Sequence, residues 1–525
     1  MSRPSAFVWH PWLLATYPIL LLYSRNANSV YFRESLAALS VVLMLATLGW
    51  VALRKARLDP QRAGLLVSAT LFLIFSFERN VHAVGVRGWI DAPGLREWVV
   101  LLLGLGGLAS FGVLLRYRPR SAQPLGTMAN VASVVLLGFL GPALLRAVRA
   151  QNLPDRPSVT ATRTDLPRPW ASRPAGSPKP DVYFIVLDAF GRSDVLRSMF
   201  DYDNRAWLGR MERRGFYLAG QSTANYCQTA LSVTATLSAS YLPQLAGSSS
   251  HSRIPLRRQF EASPIPQVFR ANGYKLVGFA TGFGVTDGFP ADERWAPLGN
   301  LNEFDALVLD MTPLWTVVGA GTGRASHGRH RERIGYLFDH LGEVAADPAP
   351  TFCLAHVVAP HPPFVFAADG SDVSGENSTY RLTDGKPWSA IAGHGGPADY
   401  ASRYRAQAAY VSARVEAVVD QILARSSQPP IIVIQGDHGP GSHFDPDLDQ
   451  PNDLIERFGI LNLILVPGRN QASLYPTITP VNTFRVLADL LFGTQFGLIP
   501  DRSYYSSYQQ PYQMIEVTDQ VGQAP

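Results

Sequence analysis

Cysteine is nearly absent: Cys227 and Cys353 are the only two, far apart and without metal-type spacing. That excludes a disulfide-stapled scaffold and a thiolate metal cluster. One disulfide and two buried thiols both stay open, so cysteine usage says nothing about compartment. Charge is also scarce. Charged residues make up 17% of the chain against 47% hydrophobic ones. The net charge of +5 over 525 residues is mild, and no dense Lys/Arg stripe runs through the sequence. Nucleic acid is therefore not an expected partner. The shortage of charge is uneven, the N-terminal part being much the more apolar. A chain of this length points to at least two structural units.

Apolar stretches at 12–23, 36–53, 63–77, 98–115 and 131–145 precede residue 150. A helix crossing a bilayer needs about 20 mostly apolar residues, with a lower limit near 17. The second, fourth and fifth stretches satisfy this once their flanks are included. The first and third are shorter and carry Pro18 and Ser76. None shows the polar face that a soluble bundle displays every 3.6 residues. Residues 1–150 are thus expected to form a transmembrane region of about five helices. The second loop carries Arg54, Lys55, Arg57 and Arg62, and the fourth Arg118 and Arg120 beside Arg116. The first has only Arg25 and Arg33, and the third mixes Arg79, Arg87 and Arg96 with Glu78, Asp91 and Glu97. Excess Lys/Arg stays cytoplasmic, which puts the N-terminus inside and everything after the fifth crossing outside. Further spans follow the first apolar stretch, which argues against a cleaved signal peptide.

Residues 151–177 are rich in proline among polar residues and read as an extended spacer. Beyond it, strand and helix patterns alternate. Apolar, strand-like runs occur at 181–187 (DVYFIVL), 274–279, 351–357, 430–435 (PIIVIQ) and 460–466. Helical patterns lie between them at 205–214, 263–272 and 400–424, and a last one covers 479–491. This alternation indicates an α/β domain with a largely parallel sheet. In such sheets ligands bind at the carboxyl ends of the strands, which directs attention to the residues just after each run.

The first run ends at Asp188, and PIIVIQ ends in Gly436-Asp437-His438-Gly439. Between them, Thr229 stands at the start of an expected helix. Two carboxylates, an imidazole and a hydroxyl make a mixed oxygen/nitrogen ligand set suited to one divalent ion: Zn, Mn or Mg. A bound metal lowers the pKa of a hydroxyl it contacts, so Thr229 becomes a candidate nucleophile as well as a ligand. The helix start beside it favours an anionic substrate. His443 and Asp445 follow in a loop and read more simply as solvated residues. Asn377-Ser378-Thr379 matches a glycosylation sequon, a short pattern often met by accident.

Four segments carry a family resemblance: PDVYFIVLDAFGRSDVL, ANYCQTALS, HVVAPHPPFVF and QGDHGPGS. Together they resemble the membrane-bound, sulfatase-like hydrolases and transferases of the alkaline-phosphatase superfamily, over about residues 178–505. The resemblance implies an α/β fold of alkaline-phosphatase (sulfatase) type behind the transmembrane region, with 506–525 as a C-terminal tail. It implies a catalytic metal held by Asp188, Thr229, Asp437 and His438. Sulfatases proper mature a Cys in a Cys-x-Pro/Ala-x-Arg motif. Here Gln228, Thr229, Ala230 and Leu231 follow Cys227, so that motif fails. Thr229 is then the expected nucleophile, with Ser232 as the fallback. Two-metal members carry an Asp-x-x-x-His pair. The corresponding stretch here, from His356 to His361, has no Asp, which argues for one metal. His361 and His356 are the expected substrate-facing residues, stabilising transferred charge or protonating the leaving oxygen. For His356 a hydrogen-bonded core position is the equal alternative.

The expected activity is cleavage or transfer of a phosphate-type ester on a membrane lipid or envelope glycan. The expected location is the extracytoplasmic face of the membrane. A sulfuric-ester hydrolase is the second reading, and a non-catalytic membrane scaffold with the same fold is the third.

Overall fold

The computed structural model describes residues 7–86, 90, 93–152, 179–242, 245, 251–317, 322–373, 384–390, 395–469 and 471–522. The expected proline-rich spacer, past its first two residues, and the sequon at Asn377 lie outside them. The chain divides into two compact units. One comprises Met1–Pro154 and Leu301–Ser326, and the other Asp155–Asn300 and His327–Pro525.

The first unit is built on five helices: α1 (His10–Asn26), α2 (Leu36–Lys55), α3 (Pro60–Val86), α4 (Pro93–Tyr117) and α5 (Ala122–Asn152). Helices α2 to α5 are each long and apolar enough to cross a membrane. The third stretch, short by its sequence pattern, gains length because its helix continues through polar residues at both ends. Helix α1 differs. Its 17 residues span about 25 Å at 1.5 Å per residue, less than the ~30 Å hydrocarbon core. It packs against α2, α3 and α5, and Ala15, Ile19 and Tyr23 are fully buried there. Of these five helices among the described residues, four have the length of a span. Outward-facing Leu102, Leu103 and Phe139 are mostly exposed, the expected surface for helices whose solvent is lipid.

The second unit is an α/β domain around a seven-stranded sheet. Its strands are β1 (Val182–Leu187), β2 (Tyr217–Leu218), β3 (Lys275–Phe279), β4 (Glu293–Trp295), β5 (Thr351–Val357), β6 (Ile431–Gly436) and β7 (Asn462–Leu465). They lie in the order β2-β7-β6-β1-β5-β3-β4. The five from β6 to β4 run parallel, while β7 and β2 add an antiparallel edge. In β1 every residue is buried, because both faces are covered. Tyr183, Ile185 and Leu187 enter one core, and Val182, Phe184 and Val186 the other. The alternation is the two-residue period of a strand.

Pairing sets the register at the strand ends. Leu187 of β1 lies opposite Val357 of β5 and Gly436 of β6. The residues that follow these three positions therefore emerge side by side at the carboxyl edge of the sheet centre. Tyr504–Tyr505 and Ile515–Glu516 make a small antiparallel pair within the same unit.

Candidate metal centre

Asp188 follows β1, and Asp437 and His438 follow β6. Their ligand atoms lie within 4.8 Å of one another, and all three residues are buried. Thr229 is the first residue of the helix Thr229–Ser238. Its Oγ1 is 3.0 Å from His438 Nε2. Of these four residues, Thr229 alone is partly exposed.

The hydrogen bonds orient each group. Asp437 Oδ1 accepts from the Ala189 backbone N–H at 3.0 Å. Asp188 Oδ2 lies 3.2 Å from His356 Nε2, and His356 Nδ1 lies 2.9 Å from Thr286 Oγ1. His438 Nδ1 donates to the Gly439 carbonyl at 2.8 Å. With the proton on Nδ1, the Nε2 lone pair faces the site. His438 Nε2 is 3.6 Å from Asp188 Oδ1 and 3.4 Å from Asp437 Oδ2. Those two oxygens are buried and accept no hydrogen bond from any of the described residues. Two orphaned carboxylate oxygens facing an imidazole lone pair would be costly without a cation. The residues present therefore fit a divalent ion: Asp188, Asp437, His438 and Thr229 would hold it. The glycine after His438 is demanded by packing, since a Cβ on Gly439 would collide with the Glu456 carbonyl oxygen.

Arg457, Asp384 and Thr286 complete the surroundings and carry no motif that singles them out. Arg457 is buried. Its Nε donates to the Cys227 carbonyl at 2.8 Å, its Nη1 to Asp384 Oδ2 and to the Gly439 carbonyl, and its Nη2 is 3.2 Å from His438 Nε2. Asp384 also accepts from Tyr400 Oη at 2.6 Å and from the Gly385 backbone at 2.8 Å. Burial opposes its charge, but Arg457 with His361 and His438 outweighs it and holds the carboxyl down at about 2. Burial likewise opposes ionised Asp188. His361, the His356 hydrogen bond and His438 override it, and the carboxyl stays well below the ordinary range. Burial and then Arg457 push His438 down, which favours the neutral ring.

His361 and His356 occupy different settings. The His361 backbone N–H donates to the Asp188 carbonyl at 3.0 Å, and its Nδ1 is 2.6 Å from the Pro362 carbonyl. Its ring centroid is 6.1 Å from that of His438, and its Nε2 is 3.8 Å from Asp384 Oδ2. His356 is tied to Asp188 and Thr286 on its two ring nitrogens. Ser232 is buried, its hydroxyl donating to the Asp437 carbonyl at 2.6 Å. Cys227 is fully buried against the Ser506 carbonyl, and burial pushes its thiol up. Gln228 is held by Ser506 and Ser507, so the C-terminal segment fixes the turn that presents Thr229. Cys227 and Cys353 are both free thiols. His443, Asp453 and Glu456 form another ligand-like group, with His443 largely exposed and Glu456 already engaged by Ser442.

No family model matches the chain, and no curated protein matches it. Among solved structures it is similar to the C-terminal periplasmic domain of EcEptC from Escherichia coli. That match is 12% identical, covers 68% of this chain and 99% of that one, and has a TM-score of 0.41. The integral membrane protein lipooligosaccharide phosphoethanolamine transferase A from Neisseria meningitidis is 11% identical, with 93% of this chain and 96% of that one covered and a TM-score of 0.39. The lipoteichoic acid synthase LtaP from Listeria monocytogenes is 12% identical, over 63% of this chain and 79% of that one, at a TM-score of 0.37. Likenesses at this level leave the functional assignment to rest on the chain's own residues.

Proposed function

We propose that this chain is a membrane-anchored, metal-dependent enzyme that transfers or hydrolyses a phosphate-type ester, with Thr229 as nucleophile. The observation that carries the reading is the convergence of Thr229 Oγ1 and His438 Nε2 with two buried carboxylate oxygens that accept no hydrogen bond from the described residues. The sequence resemblance supplies the chemical class, a phosphoethanolamine- or phosphoglycerol-like group on a lipid or envelope glycan. The Lys/Arg bias of the loops supplies the side, with the α/β unit extracytoplasmic.

A divalent ion, when bound, neutralises charge on the transferred group and lowers the pKa of the Thr229 hydroxyl. The residues do the rest. Thr229 opens a helix whose first backbone N–H groups favour an anion. Its oxygen forms the new bond to phosphorus as the bond from phosphorus to the leaving oxygen breaks, and its hydroxyl proton passes to solvent. His361, beside His438 and at the edge of the buried set, is the candidate donor of a proton to the leaving oxygen. Discharge to water or to an acceptor hydroxyl repeats the displacement in reverse. His356 acts as a positioning residue, since its ring nitrogens are taken up by Asp188 and Thr286.

Mass spectrometry tests this directly. The purified full chain is exposed to phosphatidylethanolamine, phosphatidylglycerol and an aryl sulfate in turn. A headgroup-phosphate adduct on Thr229 is expected from a phospholipid. An adduct only from the sulfate ester would favour the sulfuric-ester reading. Normal metal uptake without any adduct or turnover would favour the scaffold.

A further inference from the structure

The stretch Leu301–Ser326 lies within the sequence of the α/β half yet belongs to the helical unit. Its helix Glu303–Asp310 starts with a proper cap: Asn302 Oδ1 accepts the Asp305 backbone N–H at 2.7 Å. Phe304 and Val308, one helical turn apart, are buried in the cluster that contains Ile19, Tyr23, Val30 and Val42. Further along, Thr316 is buried and donates to Glu97 Oε2 at 3.0 Å, in the first turns of α4. The stretch is thus fastened at two points to one end of the bundle. That end also holds the close of α5, where Gln151 Nε2 donates to the carbonyls of Ala27 and Val30 at 3.1 and 2.8 Å. It is the end from which the chain leaves the helical unit.

Beside exposed Asn302 and Glu303 at its start, the stretch presents apolar side chains outward. Leu307, Leu314 and Val317 are 37%, 41% and 58% exposed. The short helix Leu314–Val317 packs beside α4, whose own outward residues at this end are Leu95, Trp98 and Leu102. Both sets are exposed apolar side chains near the beginning of a span. A tryptophan at that level is typical of the membrane–water boundary. Such side chains are a liability in water and are satisfied at a lipid interface.

We propose that residues 301–317 lie in the lipid–water interface at the end of the bundle where α4 begins and α5 closes, with Leu307, Leu314 and Val317 seated at the boundary between headgroups and acyl chains. The occupant is the bilayer surface, and apolar area is what binds it. From 301 to 317 the only charged residues are Glu303, Asp305 and Asp310, so attraction to anionic lipid plays no part. The proposal rests on α2 to α5 being spans and is independent of the chemistry proposed above.

The test uses the full chain in phosphatidylcholine vesicles. Leu314→Cys and Val317→Cys are each labelled with an environment-sensitive fluorophore. The native cysteines are buried and do not compete for the label. Leu105→Cys, on the outward side of α4, and Arg205→Cys, on the surface of the α/β unit, serve as references. Lipids spin-labelled near the headgroup should quench positions 314 and 317 more than lipids labelled deep in the chain. Position 105 should show the opposite order. Position 205 should respond to aqueous iodide only. Added anionic lipid should change none of this. If 314 and 317 answer only to iodide, or to no quencher because protein covers them, while 105 is still quenched by lipid, the proposal fails and the spans stand. If 105 also escapes lipid quenching, the proposal falls together with the membrane reading beneath it.

Discussion

Replacing Arg457 by Met removes a cation from beside a buried carboxylate, and the structure sets the scale of the effect. The guanidinium holds Asp384, the Cys227 carbonyl and the Gly439 carbonyl. Its carbon also lies 4.5 Å from the Phe444 ring centroid, a contact the Met side chain can largely keep. Asp384 is held at about 2. Against an ordinary value near ~3.9, that contributes roughly 2–3 kcal/mol at neutral pH. Leaving the carboxylate without its cation brings the expected loss for Arg457→Met to about 3–5 kcal/mol. In a domain of this size that is a fall of roughly 5 °C in the unfolding midpoint. The double variant Arg457→Met/Asp384→Asn should be more stable than Arg457→Met alone, because no charge is then stranded. Its remaining deficit reflects the Cys227 carbonyl left unpaired, about 1–3 kcal/mol, since the Gly439 carbonyl keeps the His438 Nδ1 donor.

The pH dependence carries the sign. In the parent, the Asp384 pKa lies below its unfolded value, so its contribution is fully present above ~4 and is lost as pH falls through about 2. In Arg457→Met the burial penalty dominates and the pKa rises above the unfolded value. The gap between variant and parent should therefore narrow as pH falls from 7 toward 4. The assay is the thermal unfolding of the full chain in detergent at several pH values, with identical metal content. Equal midpoints for the single and double variants at neutral pH, with no narrowing on acidification, would refute the pairing argument.

Three further outcomes are expected. Thr229→Ala should abolish turnover on a phosphodiester headgroup substrate while Cys227→Ala retains most of it, as its buried thiol packs against Ser506; the opposite pattern in side-by-side assays would overturn the nucleophile. His356→Ala should weaken metal binding by about 10–100-fold, the usual cost of losing a partner behind a ligand, with His356→Gln partly rescuing it; unchanged metal affinity with raised KM would make His356 a substrate contact instead. Asp181, pushed up to about 6 mainly by burial, favours its protonated form in the fold, so its ionisation lowers stability as pH rises through that value. Asp181→Asn should thus raise the unfolding midpoint at pH 8 and leave it little changed near pH 4, and no gain at pH 8 would count against the assignment.

Much of the architecture is legible in consecutive residues. Apolar runs without a polar face announce the helices, since a bilayer core demands length and continuity above all. Runs such as VYFIVL and IIVIQ announce strands buried on both faces, and the rule of carboxyl edges points to Asp188, Asp437 and His438. Those are local properties. Other features depend on which strands become neighbours. Asp188 and Asp437 face one site because β5 and β6 flank β1 in matched register, and pairing partners leave no trace in a single strand's pattern. Arg457 sits in LIERF, where an Arg reads as a surface residue until the fold buries it against Asp384. His356 and His361 look alike in HVVAPHPPF, yet the first ends within β5 and binds Asp188 while the second lies beyond it near His438. Leu301–Ser326 reads as part of the α/β half, because sequence proximity is all a sequence offers. Only tertiary packing, through Phe304, Val308 and Thr316, gives it to the helices.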